Sequence, residues 1–178
     1  GVAGFLMQKE LDYLGKAIGN PERPFLAILG GAKVADKIPV IDNLLTKVNS
    51  LIIGGGMAYT FFKAQGFEIG KSLLDAEGLD LARNALAKAK ELGVDLVLPV
   101  DVVVGKEFDN NTERKVVPID EIPADWMGMD VGPKSIEKFK AIIESVRTVV
   151  WNGPMGVFEM PNFAVGTKAM AEALANST

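Results

Sequence analysis

Lys33 and Lys37 are the residues of this chain best placed to do chemistry. They follow the turn Gly30-Gly31-Ala32, after the apolar run Phe25–Leu29 and ahead of a helical pattern of Ile38, Ile41, Leu44 and Leu45. Strand, glycine turn, two lysines, helix is a layout that can hold a phosphate. Glycines let backbone N–H groups come close to a ligand, a helix N-terminus attracts anions, and lysine adds a point charge. A cation at a helix start is unfavourable unless an anion accompanies it, which favours a ligand over two merely solvated lysines. The spelling matches neither the P-loop G-x-x-x-x-G-K-[ST] nor the dinucleotide fingerprint G-x-G-x-x-G.

Composition narrows the chemistry further. The 178 residues include no histidine and no cysteine. A Ser-His-Asp triad, a Cys-His pair, a His-ligated zinc and a disulfide framework are all excluded within them. Chemistry has to come from lysine, carboxylates, backbone dipoles and a bound ion. Hydrophobic residues make up 48%, which predicts a folded chain of a size suited to one domain over 1–178. A net charge of −4 argues against a nucleic-acid partner. The longest apolar stretch, residues 51–62, contains three glycines and is too short to span a bilayer. With no signal-peptide pattern at the start, the expectation is a soluble cytoplasmic protein away from membranes.

The elements that position these residues follow from hydrophobic spacing. Phe5, Leu6, Leu11, Leu14 and Ile18 follow helical spacing, stopped by Gly19-Asn20-Pro21. Phe25–Leu29 reads as a strand buried on both faces. Asp36 reads as the N-cap of the next helix, which puts Pro39 in its first turn, where the missing N–H matters little. Leu51-Ile52-Ile53 is a second short strand, ended by Gly54-Gly55-Gly56, and Met57–Ala64 a helix. Residues 76–92 form an amphipathic helix stopped by Gly93. Strands are expected at 95–98, at 102–105 and, on an edge, at 115–117, with a turn at 109–112. Residues 122–132 read as irregular. A helix begins at Pro133, a strand runs from Thr148 to Trp151, and a last helix covers 163–175. Short Val/Ile/Leu-rich strands alternating with helices predict an α/β fold, a Rossmann-like three-layer arrangement around a mainly parallel sheet.

In such a sheet, ligands bind at the carboxyl ends of the strands. Gly30-Gly31, Gly54-Gly55-Gly56 and Asn152-Gly153-Pro154 each follow a strand. Any one alone is a tight connection, but three at one edge can line a crevice for a flat, phosphorylated ligand. Glu159, eight residues after Trp151, reads either as a surface carboxylate or as an acceptor for ribose hydroxyls. Trp126, Met127, Met129, Phe158 and Met160 read as packing residues that could also hold an adenine ring. Asp101 reads as a cap or turn residue rather than a metal ligand.

Five motifs occur here in the order in which the phosphoglycerate kinase family carries them. They are Gly30-Gly31-Ala32-Lys33-Val34-Ala35-Asp36-Lys37-Ile38, Ile52-Ile53-Gly54-Gly55-Gly56-Met57-Ala58, Leu98-Pro99-Val100-Asp101, Trp126-Met127-Gly128-Met129-Asp130 and the run 151–159. Over essentially its whole length the chain resembles the C-terminal, nucleotide-binding half of that family. The resemblance implies phosphoryl transfer between 1,3-bisphosphoglycerate with ADP and 3-phosphoglycerate with ATP, in a two-lobed monomer that closes about a hinge. It implies that Lys33 binds the transferring phosphoryl group and Lys37 the nucleotide phosphates. Gly31, Ala32, Gly55, Gly56, Leu73, Gly128 and Met129 would form the adenosine site. Asn152 and Pro154 would lie near phosphates and sugar, Val157 would help enclose the nucleotide, and Glu159 would bind the ribose. Such a reaction needs positioning and charge neutralisation rather than a base or a covalent nucleophile.

The resemblance also implies parts outside this stretch. The family's 3-phosphoglycerate site lies on a preceding lobe, and the four arginines here, Arg23, Arg83, Arg114 and Arg147, do not cluster in sequence. The family's Gly-Gly-Gly-Asp loop, whose Asp holds the magnesium of ATP or ADP, lies after a further strand beyond 178. The expectation is a sheet short of its last strand and a fragment inactive by itself. Two other readings compete. One is a non-catalytic nucleotide-binding or scaffold module. The other, a dinucleotide-dependent oxidoreductase, is disfavoured by the missing fingerprint.

Overall fold

The computed structural model describes residues 4–6 and 22–176. Five strands form one parallel sheet: β1 (Gly4–Leu6), β8 (Thr148–Asn152), β2 (Phe25–Leu29), β3 (Ser50–Ile53) and β4 (Asp95–Val97), in that spatial order. A second sheet is antiparallel, with β5 (Asp101–Gly105) between β6 (Arg114–Pro118) and β7 (Met127–Val131). The helices are α1 (Val34–Leu45), α2 (Met57–Ala64), α3 (Leu79–Leu92), α4 (Pro133–Ser145) and α5 (Val165–Asn176).

Strand alternation divides the core between the two faces of the parallel sheet. Phe25, Ala27 and Leu29 of β2 point to a cluster with Ile41, Leu45, Phe61, Phe62 and Ala85 from α1, α2 and α3. Leu26 and Ile28 point the other way, to Phe139 and Ile143 of α4 and Met170 and Leu174 of α5. That is the three-layer α/β/α arrangement expected. Strands buried on both faces explain the unbroken apolar spelling of β2 and β3, since an alternating polar residue would have no solvent to meet.

Four expectations change. Phe5 and Leu6 lie in β1, paired in parallel with Val149 and Val150, not in a helix; residues 7–21 of that expected helix lie outside the described residues. α1 starts at Val34, with Lys33 as its N-cap residue, so Asp36 sits inside the first turn rather than capping it, and Pro39 lies inside the helix. The early start has a physical cause: the carboxylate of Asp75, forty residues on, accepts from the Ala35 N–H at 3.0 Å and satisfies a donor that a local cap would otherwise take. Residues 127–131 are a strand rather than irregular chain. Finally, the strands at 101–105 and 114–118 belong to a separate antiparallel sheet. The edge position expected for 115–117 holds among the described residues, where β6 pairs with β5 alone.

A candidate nucleotide site at the strand ends

β8, β2 and β3 are neighbours, so their three glycine turns meet. Gly30 N–H donates to Asn152 O at 2.7 Å, Gly55 N–H to Met155 O at 3.2 Å and Met57 N–H to Gly31 O at 2.9 Å. The loops touch backbone to backbone, and a Cβ on Gly30 would lie 2.1 Å from the Pro154 carbonyl oxygen. Val157 N–H donates to Met129 O at 2.9 Å, which joins the loop after β8 to the second sheet. Between these loops opens a cavity of about 450 Å³.

Nine of the expected site residues line it. Gly31, Gly55, Gly56 and Pro154 come from the glycine turns, Leu73 from the segment after α2, Gly128 and Met129 from β7, and Val157 and Glu159 from the loop after β8. Ala32 and Lys33 do not; both are exposed and line an adjoining depression with Asp36, Asp75 and Glu77, which shares Leu73 with the cavity. Lys37 is half-buried. Its Nζ donates to the Asn152 side-chain oxygen, so the first turn of α1 is tied to the end of β8. The anion expected at the start of α1 is in part the protein's own, the Asp75 carboxylate.

Five lining residues escaped the sequence reading: Tyr59, Lys71, Phe108, Met155 and Gly156. Met127 and Phe158, read as packing residues that could hold an adenine ring, do line the cavity, whereas Trp126 is buried in the core. Lys106 and Lys115 lie 5.4 and 4.6 Å from the Trp126 ring centroid, within cation–π range. Leu73, Phe108 and Phe158 are exposed and give the mouth an apolar rim. Apolar walls with a few polar groups suit a flat heteroaromatic ring, and among the described residues Glu159 is the one carboxylate that lines the cavity.

Next to Met129 in β7 stands Asp130, 1% exposed. Its carboxylate accepts from its neighbour Val131 N–H at 2.8 Å and from Gly166 N–H, in the first turn of α5, at 3.0 Å. Burial pushes its pKa up to about 7, against backbone hydrogen bonds from Gly166, Val131 and Val165 that pull it down. A folded-state pKa above the unfolded one means that the native state binds the proton more tightly. The stability this gives is complete below about pH 4 and lost as pH rises through 7. The stability advantage of the native chain over an Asp130→Asn variant is therefore expected to shrink by about 1 kcal/mol or more between pH 5 and 8, as read by urea unfolding. A gap that stays constant or widens would show an ordinary carboxylate.

Among the described residues no helix is long and apolar enough to cross a membrane, and no group of three acidic side chains could hold a metal ion.

Comparison with known proteins fits this geometry. A curated phosphoglycerate kinase from Pelotomaculum thermopropionicum is 58% identical over 174 residues, covering 98% of this chain and 44% of its own length. The structure of phosphoglycerate kinase from Coxiella burnetii superposes with a TM-score of 0.90 at 45% identity, over 96% of this chain and 44% of that one. The enzyme from Pyrococcus horikoshii gives 0.75 at 32% identity, over 95% and 43%. The chain thus spans less than half the length of the relatives it matches. The family model for phosphoglycerate kinase takes in residues 1–178, and with relatives of this identity and a fold that superposes on theirs, the chain belongs to the phosphoglycerate kinase family.

Proposed function

We propose that residues 1–178 are one nucleotide-binding domain, the half of a phosphoglycerate kinase that holds ADP or ATP while a phosphoryl group passes to or from 3-phosphoglycerate. The reading rests on one observation above all: a cavity at the carboxyl ends of β2, β3 and β8 that gathers nine of the expected residues. In it the base would lie among Leu73, Met129 and Val157, with Gly31, Gly55, Gly56 and Gly128 allowing close backbone approach. Glu159 would accept from the ribose hydroxyls. Lys37, already linked to Asn152, would carry its charge to the nucleotide phosphates, with Ala32 and Pro154 beside them.

Lys33 would neutralise the phosphoryl group in transit. Such a transition state spreads charge over oxygens, so a fixed cation serves it better than a base. The magnesium that accompanies the nucleotide would screen the phosphate charges. Magnesium of this kind is held by one or two carboxylates together with the phosphates themselves; in this reading its protein ligand, like the 3-phosphoglycerate site, belongs to another part of the enzyme. The intact enzyme would act as a monomer.

Calorimetric titration of the chain with ADP tests the reading. Binding is expected, about tenfold weaker in a Lys37→Ala variant, as for loss of one charge-assisted hydrogen bond. A Lys33→Ala variant is expected to change ADP affinity less than twofold, because its partner is the group in transit. Equal losses from the two variants would make both lysines general phosphate holders, and absence of ADP binding would remove the nucleotide reading.

A further inference from the structure

The floor of the cavity contains a polar group that the fold does not use. Tyr59, on α2, is 5% exposed and lines the cavity. Its ring meets Phe62 edge-on, with centroids 5.8 Å apart and planes at 77°. The hydroxyl-bearing end of the ring lies against Gly128, where a Cβ would fall 2.1 Å from the phenol oxygen. The ring is thus held by two contacts, and only glycine at position 128 leaves it room. Among the described residues the hydroxyl has no hydrogen-bond partner, yet no fully enclosed polar atom is left unpaired. The hydroxyl therefore keeps access to the cavity.

We propose that the Tyr59 hydroxyl reads the base of a purine nucleotide at the floor of this cavity, which makes Tyr59 a specificity-determining residue. The inference rests on the nucleotide reading above and extends it. Leu73, Met127, Met129, Val157 and Phe158 supply contact area without direction; a ring could lie among them in several orientations. One rigidly held hydroxyl supplies the missing direction, donating to a ring nitrogen or accepting from an exocyclic amine, directly or through one water. Burial, and after it the charge of Asp130, raises the phenol's pKa, so the group keeps its proton and both capacities. A base that seats in the cavity and leaves the hydroxyl without a partner takes on a desolvation cost that phenylalanine would not impose. A base that pairs with it avoids that cost.

The test compares the 178-residue chain with its Tyr59→Phe variant, which keeps the ring between Phe62 and Gly128. Calorimetry would measure ADP, GDP and inorganic pyrophosphate on both. The native chain is expected to distinguish ADP from GDP. The variant should lose about fivefold in affinity for the preferred nucleotide, the size of one neutral hydrogen bond, and bind ADP and GDP within twofold of each other. Pyrophosphate, which has no base, should bind both chains equally. Equal ADP and GDP affinities in the native chain, an unchanged ratio in the variant, or a matching loss for pyrophosphate would each overturn the role of Tyr59. Loss of ADP binding by the native chain would overturn the nucleotide reading with it, whereas ADP binding indifferent to the hydroxyl overturns only this inference.

Discussion

A Gly30→Ala chain is expected to be destabilised by about 3 kcal/mol or more, with the nucleotide cavity deformed. The added Cβ would stand 2.1 Å from Pro154 O and 2.7 Å from Gly153 O. Both are backbone atoms, so no rotamer change relieves the contact. The strand ends have to separate, which breaks the 2.7 Å hydrogen bond from Gly30 N–H to Asn152 O and moves the residue that Lys37 holds. Overpacking in a rigid core costs a few kcal/mol, and this site is more rigid than most because two loops are fixed to two buried strands. Urea unfolding measures the loss. Gly66→Ala is the control. Gly66 has a φ of +96°, but nothing lies within 4 Å of where its Cβ would stand, so the substitution should cost only backbone strain, about 1–2 kcal/mol. If the two variants lose the same stability, contact between the loops is not what makes residue 30 glycine.

That glycine turn was legible in the sequence because everything that makes it is local. An apolar run, two glycines and a helical pattern stand side by side, and the same holds at Gly54-Gly55-Gly56 and Asn152-Gly153-Pro154. Parallel packing then brings them together without further information, since alternating strands and helices put all strand ends at one edge. What was not legible depends on partners far away in the chain. β7 reads Met-Gly-Met-Asp-Val, with a glycine and an aspartate that strands disfavour; it is a strand because β5 offers an antiparallel edge, with a register shift between Val103 and Val104 that accommodates it. Leu6 and Phe5 have no local pattern that separates a three-residue strand from the start of a helix, and the neighbour that decides is β8. Tyr59 and Phe108 reach the cavity only after α2 and the β5–β6 turn are placed.

The helix starts depend on distant partners in the same way. Asp36 stands where a local cap is expected, yet α1 is capped by Asp75, and the N-cap residue of α4 is Gly132, which has no side chain to cap with. In both, an aspartate from another element supplies the acceptor. Caps read from sequence assume the acceptor lies within a few residues, and nothing in the spelling of Asp75 or Asp101 says which helix it will serve. Asp101 was legible as a cap residue but not as the cap of a helix more than thirty residues later.

Replacing Asp101 by alanine is therefore expected to cost about 3–5 kcal/mol, although the residue does not line the cavity. Its carboxylate accepts from Lys134 N–H at 3.1 Å, from Ser135 N–H at 2.9 Å and from the Ser135 hydroxyl at 2.7 Å. The side chain is buried, so water cannot replace all three partners. Each donor left unpaired in the interior costs about 1–3 kcal/mol, and the first turn of α4 loses the negative charge that faces its dipole. The Ser135 hydroxyl accepts in turn from Val100 and Asp101 N–H, so its orientation is also disturbed. Asp101→Asn keeps one acceptor oxygen and should lose about half as much; Ser135→Ala removes only the hydroxyl and should lose less again. Urea unfolding gives the order, and hydrogen exchange at Lys134 and Ser135 should show the first turn of α4 opening first in the alanine variant. A loss under 1 kcal/mol for Asp101→Ala, or an asparagine variant as unstable as the alanine one, would mean that α4 does not depend on a cap from β5. The effect should extend to the site, because Phe139 and Ile143 of α4 pack with Trp151 of β8 and Met155 of its loop in one cluster. A frayed α4 withdraws support from the loop that carries Pro154, Val157 and Glu159, so ADP affinity should fall along with stability.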